Sequence, residues 1–544
     1  MKIDETLYKH FLEEMNELDN FRIVYASLNP GMHMEREDPD VRRLTEAMAF
    51  FAARTRMAGM RSISSTLIRF FQQYFPYMLT PLPSIAIARV TPTRQLAEPV
   101  FYPAGTELSV TTESGQTGIF NMTGSVNVLP FSPTRFSLLM LPERGFRVVM
   151  EYSAAFTRND NIGTLSFFIN YLNNFENSSL MFYNIRRHIK KVSVVFDEKA
   201  NEFSEGEKCD ISYGLPENRY EDEHPLAKER NFFHFPWIDL YLNIKLANTP
   251  HSWRTFSICL DIDHKWPKNL VLNQDVFQLF TVPLINIRKD AAQPLICSAT
   301  QEKYPLRHPR LNYGFALHSV RGIYEITKEG MSFVKPGILS GTAPAYETEE
   351  ITDSSGRSST NLFLHFPKAF EDQRTITVDA FWYQPWLKDK ISESMTLAPF
   401  SHAANGVKWD FMVKPVSHQE KYLHSDINAF LHFLTLTHKE VLNRDDIIDI
   451  LQLMGAMKDF KFAHVCELLS SVRVEKVSSK NRTSSGLLRY RYILCFREYN
   501  QNEEPLVAIL VNHLKTILIH WLSSADLEVI IENSGDRQNT TAAG

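Results

Sequence analysis

From the N-terminus, apolar residues recur at helical intervals. Leu7, Phe11, Met15 and Leu18 follow one another at three- and four-residue spacing, which places them on one face of a helix. After "LNPGMHMERED" the pattern resumes, with Asp38 as an N-cap and Pro39 at the first helical position. Val41, Leu44, Met48 and Phe51 then form one stripe, flanked by Ala52 and Ala53, small enough to admit a neighbouring helix. A third helix is expected from Ser64 or Ser65, carrying Leu67, Ile68, Phe71, Tyr74 and Phe75 up to Pro76.

The stretch "FFQQYFPYMLTPLPSIAIARVTP", Phe70 to Pro92, changes the pattern abruptly. Pro76, Pro81 and Pro83 forbid the helix to continue, while Tyr74, Phe75, Tyr77 and Met78 crowd the same place. "SIAIARV" then alternates at period two, the pattern of a half-buried strand. The pattern predicts a stiff aromatic elbow between a helical and a β-rich region.

Short alternating runs continue to about residue 160, and in "FYPAGTELSV" Pro103 and Gly105 suit a tight type I turn. Residues 163–195 predict a strand, a polar turn, a short helix and a second strand. The polar segment 200–230 reads as a loop, further strands follow, and "SGTAPAYETEEITDSSGRSST" reads as an exposed excursion. Helical spacing returns with Phe430, Phe433, Leu434 and Leu436 and with a second helix around Ile447 to Met457. A closing unit reads as strand, strand, helix from Pro505 to about Leu522, and strand. The fold class expected is therefore α+β multidomain: an N-terminal helical region (1–83), a β-rich module (84–160), a central β-rich α+β region (161–415), and C-terminal helices with a small ββαβ unit (416–544).

Composition supports several buried cores, since 44% of the 544 residues are hydrophobic and 38 are phenylalanine. The 58 basic and 63 acidic residues are mixed along the chain, with no basic tract to track a phosphate backbone, so nucleic acid is not an expected partner. Five cysteines, an odd number with no C-x-x-C pair, point to neither a disulfide framework nor a zinc site and fit a reducing cytoplasm. The N-terminus lacks the anatomy of a secretory signal. Asn512, His513, Lys515 and His520 interrupt the apolar run Pro505 to Leu522, which reads as a packed helix rather than a membrane span.

Catalytic chemistry has little to stand on. "LDIDHKW" brings Asp261, Asp263 and His264 together, but without further ligand spacing no metal is expected. The histidines at 402, 418, 424, 432 and 438 form no H-E-x-x-H pair and read as surface or capping residues. Asp445 and Asp446 lie at a helix start, where they complement its dipole. No phosphate-binding loop, dinucleotide turn or nucleophile elbow occurs. Catalytic, cofactor-binding and metal residues are all expected to be none. Abundant large apolar side chains suit an assembly component, and Leu44, Met48, Phe51, Phe71, Tyr74, Phe75 and Tyr77 are the candidate interaction residues.

Three stretches in order, "EDPDVRRLTEAMAFFAARTRM", "LIRFFQQYFPYMLTPLPSIAIARVTP" and "YPAGTELSV", resemble the TssF family (also VasA or ImpG) of the bacterial type VI secretion system. "VFQLFTVPLINI", "KYPLRHP", "ALHSVRGIYEIT" and the closing ββαβ unit extend the resemblance over nearly the whole chain. It departs at "GMRSISS", where the family has an acidic lead-in, and at Ala104, where it has a basic residue. The resemblance implies a structural baseplate subunit, two copies joining one TssG-like chain in a wedge like those of contractile phage baseplates. Six wedges would surround a spike hub and nucleate a contractile sheath. It further implies TssE-like and TssK-like partners, and a place in the bacterial cytoplasm, docked to the inner-membrane complex without inserting into the membrane. The N-terminal helices would form a shared bundle. The rival expectation is a hydrolase acting on an envelope polymer.

Overall fold

The computed structural model describes all residues except 1–4, 30–38, 143–144, 216–223, 299–300, 338–343, 353–357, 367–372, 392, 401–403, 422, 424–426, 459, 478–488, 523–525 and 534–544. Asp38 and the serine-rich turn at Gly356 lie outside the described residues. The chain divides into two units, one of residues 1–79 with 423–435, the other of residues 80–422 with 436–544.

The first unit is built on two helices, α1 (Glu5–Leu28) and α2 (Pro39–Tyr74). Leu7, Phe11, Met15 and Leu18 are all partly buried, as their spacing predicts. No break occurs at Ser64: α2 runs unbroken for 36 residues, so the expected third helix is the second half of the second. Ser64 is itself buried, and the Thr66 hydroxyl is absorbed by the Ser62 carbonyl one turn back, so the serine run does not end the helix. The buried face of α2 passes through Ala49, Ala53, Ser64 and Phe71. Arg56 joins the two helices by reaching Glu13 at 3.3 Å and Glu14 at 3.2 Å.

The second unit is mostly β-sheet. In its six-stranded sheet Ile85–Pro92 lies between Thr281–Ile285 and Val407–Val413, antiparallel to both. Ile85, Ala86, Ile87, Ala88 and Val90 are all buried, so this strand is covered on both faces rather than one. Alanine is apolar, and an isoleucine–alanine alternation is physically a continuous apolar run, the mark of a central strand. The turn at Pro103 is also corrected. Gly105 has φ +82° as the third residue of a turn closed by Thr106 N–H to Pro103 carbonyl, which is a type II arrangement that glycine makes possible.

Helix α3 (Phe175–His188), capped by Asn174, connects the strands Thr164–Ile169 and Ile189–Phe196 as the pattern predicts. The polar segment 200–230 is not all loop: it carries the strands Glu207–Lys208 and Asp210–Tyr213 and the start of α4 (Pro225–His234). The supposed excursion likewise holds the strand Ala345–Thr352, in which Ala345 is buried while Glu349 and Glu350 reach water. It belongs to a large sheet whose core includes Ile323, Val334, Leu362, Ile376, Val378 and Trp382.

Helix α5 (Ile427–Thr437) carries Phe430 and Phe433. Helix α6 (Arg444–Met454) starts with a capping box between Asn443 and Asp446 and stops at Gly455, φ +96°, three residues before the pattern suggests. After α7 (Phe460–Leu468) come the strands Leu469–Val477 and Arg489–Phe496, then α8 (Glu504–Trp521) and the strand Asp526–Asn533. The last two strands are parallel with α8 as their crossover. Buried Leu506, Leu510, Leu514, Ile517 and Trp521 explain its apolar run. Among the described residues no helix is long and apolar enough to cross a membrane.

Candidate assembly surface

The seven candidate interaction residues separate into two sets. Leu44 is 63% exposed, Met48 53%, Phe51 65% and Tyr74 55%, so the described residues leave the stripe on α2 largely uncovered. Phe50, Met60 and Ile63 are exposed on the same helix, and Leu12, Phe21, Val24 and Leu28 on α1. Periodicity finds the stripe but not its direction: the alanine flank faces α1's side of the hairpin core and the large residues face outward. Soluble chains seldom leave so many large apolar groups together without a partner surface.

Phe71 belongs to the other set. It is fully buried, with its ring centroid 4.7 Å from that of Phe430 and 5.1 Å from that of Phe433, both edge-on. Phe75 meets Phe433 at 5.0 Å and Tyr77 at 6.5 Å, and is only partly exposed, like Tyr77. These rings make the internal core of the first unit. Phe430 and Phe433 are the residues that sequence reasoning left out of the cluster. Their helical spacing marks a buried face, but nothing local says which distant face it meets.

Beyond Leu79 the proline-rich stretch is held by side chains of the second unit. Prolines 81 and 83 have no N–H to give a sheet, so their carbonyls need other partners. His318 Nε2 lies 3.0 Å from the Pro81 carbonyl and His234 Nε2 2.8 Å from that of Pro83. Arg230 donates to the Thr80 carbonyl at 3.2 Å, and Leu82 exchanges both backbone bonds with Gln419 at 2.8 Å. Each neutral imidazole gives its Nε2 proton to a carbonyl. Burial pushes both histidines down to about 4, against the favourable proline carbonyl and with Arg230 opposing further positive charge.

The other polar clusters are structural. Arg147 holds Asp261 with two bonds, at 2.6 and 3.0 Å, whereas Asp263 is taken by His188 at 2.9 Å and Lys190 at 3.2 Å. The two aspartates thus serve different partners. His418 is buried against Glu420, contrary to a surface reading, while His432 and His438 are exposed and His402 and His424 lie outside the described residues. All five cysteines are unpaired. Among the described residues no group of three His, Cys, Asp or Glu side chains is placed to hold a metal.

The TssF family model of the type VI secretion system matches residues 18–167, which include α2, the elbow and the first strands. No curated protein matches the sequence. A chain in the cryo-electron microscopy structure of the type VI secretion system TssK–TssF–TssG baseplate subcomplex shares the fold, with a TM-score of 0.70 at 15% identity, over 91% of this chain and 97% of that one. A chain of the baseplate complex from the type VI secretion system gives a TM-score of 0.58 at 15% identity, with 94% of each chain covered. This chain is thus similar to the TssF family in sequence over residues 18–167, through helix, elbow and first strands, and it shares a fold almost end to end with both baseplate chains.

Proposed function

We propose that the chain is a structural baseplate subunit that joins a TssG-like chain, and a second copy of itself, through the outward face of its N-terminal helices. The observation that carries this is the exposed Leu44, Met48 and Phe51 stripe on a long, continuous helix. Each such side chain is worth about 1.5–3 kcal/mol when an apolar partner covers it. Two copies per TssG-like chain, contacts with TssK-like and TssE-like subunits and the spike hub, and nucleation of the sheath in the cytoplasm beside the inner membrane complete the reading.

Coexpression with a TssG-like chain followed by native mass spectrometry tests it. A two-to-one complex is expected; a one-to-one species or no association overturns the wedge reading. A hydrolase whose general acid is a carboxyl would need that carboxyl held protonated. Asp263, Glu393 and Glu503 are instead all held towards the ionised form, below the ordinary carboxylate range, which favours the structural reading.

A further inference from the structure

The outward stripe of α2 keeps a strict register. Val41, Leu44, Met48 and Phe51 follow one another at alternating three- and four-residue steps, and Thr55 and Ala58 continue the same steps. This is a heptad seam, the spacing at which a second helix packs alongside the first, and charges on the flanks of such a seam choose the partner. One flank here is small, with Thr45, Ala52 and Gly59, and a Cβ added at Gly59 would meet nothing within 4 Å. The other flank carries Arg54 and Arg61, one heptad apart and both exposed.

These two arginines stand apart from the other charges of the hairpin. α2 carries six arginines against Asp40 and Glu46, whereas α1 carries five acidic residues against Lys9 and Arg22. The acids of α2 are already engaged, Glu46 with Arg42 at 2.9 Å and Asp40 with Arg43 at 3.7 Å. Arg56 turns to Glu13 and Glu14, so where α2 meets α1 it is covered by an acidic helix. Arg54 lies over the Phe50 ring at 5.9 Å, and neither Arg54 nor Arg61 meets a carboxylate among the described residues. In water such guanidinium groups are well solvated. Beside an apolar contact they lose part of that water, and a neutral or basic helix would return nothing for it.

We infer that the helix covering the stripe is an acidic amphipathic helix of the TssG-like chain, with carboxylates one heptad apart set against Arg54 and Arg61. The inference rests on the stripe being an assembly face and adds the chemistry which that face selects. Seven residues of α-helix rise about 10.5 Å, so two carboxylates at that spacing on a nearly aligned partner reach both arginines in a single register.

Association of the full chain with a TssG-like chain, measured at two salt concentrations, tests this. Replacing both residues, Arg54→Glu and Arg61→Glu, should weaken association about tenfold or more, because like charges then face each other across the seam. Arg54→Lys with Arg61→Lys keeps the charges and should stay within about threefold of the parent. Raising sodium chloride from about 50 to about 500 mM should weaken the parent complex and affect the glutamate variant much less. Association that responds neither to the charge reversal nor to salt overturns the inference. Met48→Asp with Phe51→Asp separates it from the reading beneath it: loss of the complex in that pair but not in the arginine pair leaves the apolar face standing and removes the acidic partner, whereas a complex that survives it removes both. Salt-sensitive self-association of the chain alone would give the arginines to a second copy and overturn the inference as well. If the charge-reversed variant does not fold, the salt response of the parent complex decides alone.

Discussion

The ring of Phe71 meets the ring of Phe433 edge-on, 5.1 Å between centroids, although the two residues come from opposite ends of the chain. Both are fully buried, and both belong to the first unit. The N-terminal helices are therefore completed by a distant segment, so the unit can form only after residues 423–435 have been made.

Phe433→Ala tests that dependence. Removing a buried phenylalanine typically costs about 3–5 kcal/mol through lost transfer energy and the cavity left behind. Hydrogen exchange followed by mass spectrometry should show α2 opening far more readily, while the sheet around Ile85–Pro92 keeps its protection. Unchanged exchange in α2 would mean that the aromatic contact contributes little.

Much of this architecture is legible from local pattern, and the limits have physical causes. Proline and glycine act on their own neighbourhood, so the elbow at Pro76 and the strand beyond it can be read directly. So can the ββαβ unit, whose helix and strands differ in period. Ser64 misleads because serine only lowers helix propensity, and burial against neighbouring side chains outweighs that. The pairing of Phe71 with Phe430 and Phe433, and the pinning of Pro81 and Pro83 by His318 and His234, are relations between distant residues. No periodicity records them. The exposed stripe on α2 follows from spacing, but its outward direction is decided by which face the smaller Ala49 and Ala53 allow to pack.

His513 provides a pH test of the C-terminal packing. Its ring lies 3.4 Å from that of Phe232, with Nδ1 2.8 Å from Glu229 and Nε2 3.2 Å from Asp239. Burial alone would depress its pKa, but the bonds to Asp239 and Glu229 outweigh it and raise the group to about 9. An unfolded histidine titrates near 6.5. The imidazolium therefore adds stability that is fully present below about 6.5 and is lost as pH rises through about 9. Thermal unfolding between pH 6 and 10 should fall more steeply for the parent than for His513→Gln. Parallel curves would show that the imidazolium is not held.

The pinned prolines should respond to acid in the opposite sense. His318 and His234 have folded values lowered to about 4, so their contribution is complete above about 6.5 and fades as pH falls towards 4. Protonating His234 also places a charge beside Arg230 and Lys458. Exchange at the Leu82 and Gln419 amides should accelerate between pH 6 and 4, beyond the intrinsic pH dependence of exchange. In the double variant His318→Gln and His234→Gln, which can still donate to the carbonyls, that extra acceleration should disappear. Its persistence in the variant would assign acid opening to other groups.

The decisive test of the assembly surface is the pair Met48→Asp and Phe51→Asp. Both side chains are more than half exposed, so replacing them opens no cavity and leaves the Ala49 and Ala53 face intact. The cost within the chain is that of two poorer helix formers, on the order of 1 kcal/mol in total. In a complex the same positions would bury two carboxylates in an apolar contact, at a cost of several kcal/mol each. The expected result is an unfolding profile close to the parent's, together with loss of the TssG-like chain on copurification. Ala53→Asp is the contrast, because Ala53 is fully buried inside the hairpin, and it should unfold the first unit outright. A Met48 and Phe51 double variant that still assembles in a two-to-one complex would remove this face from the interface.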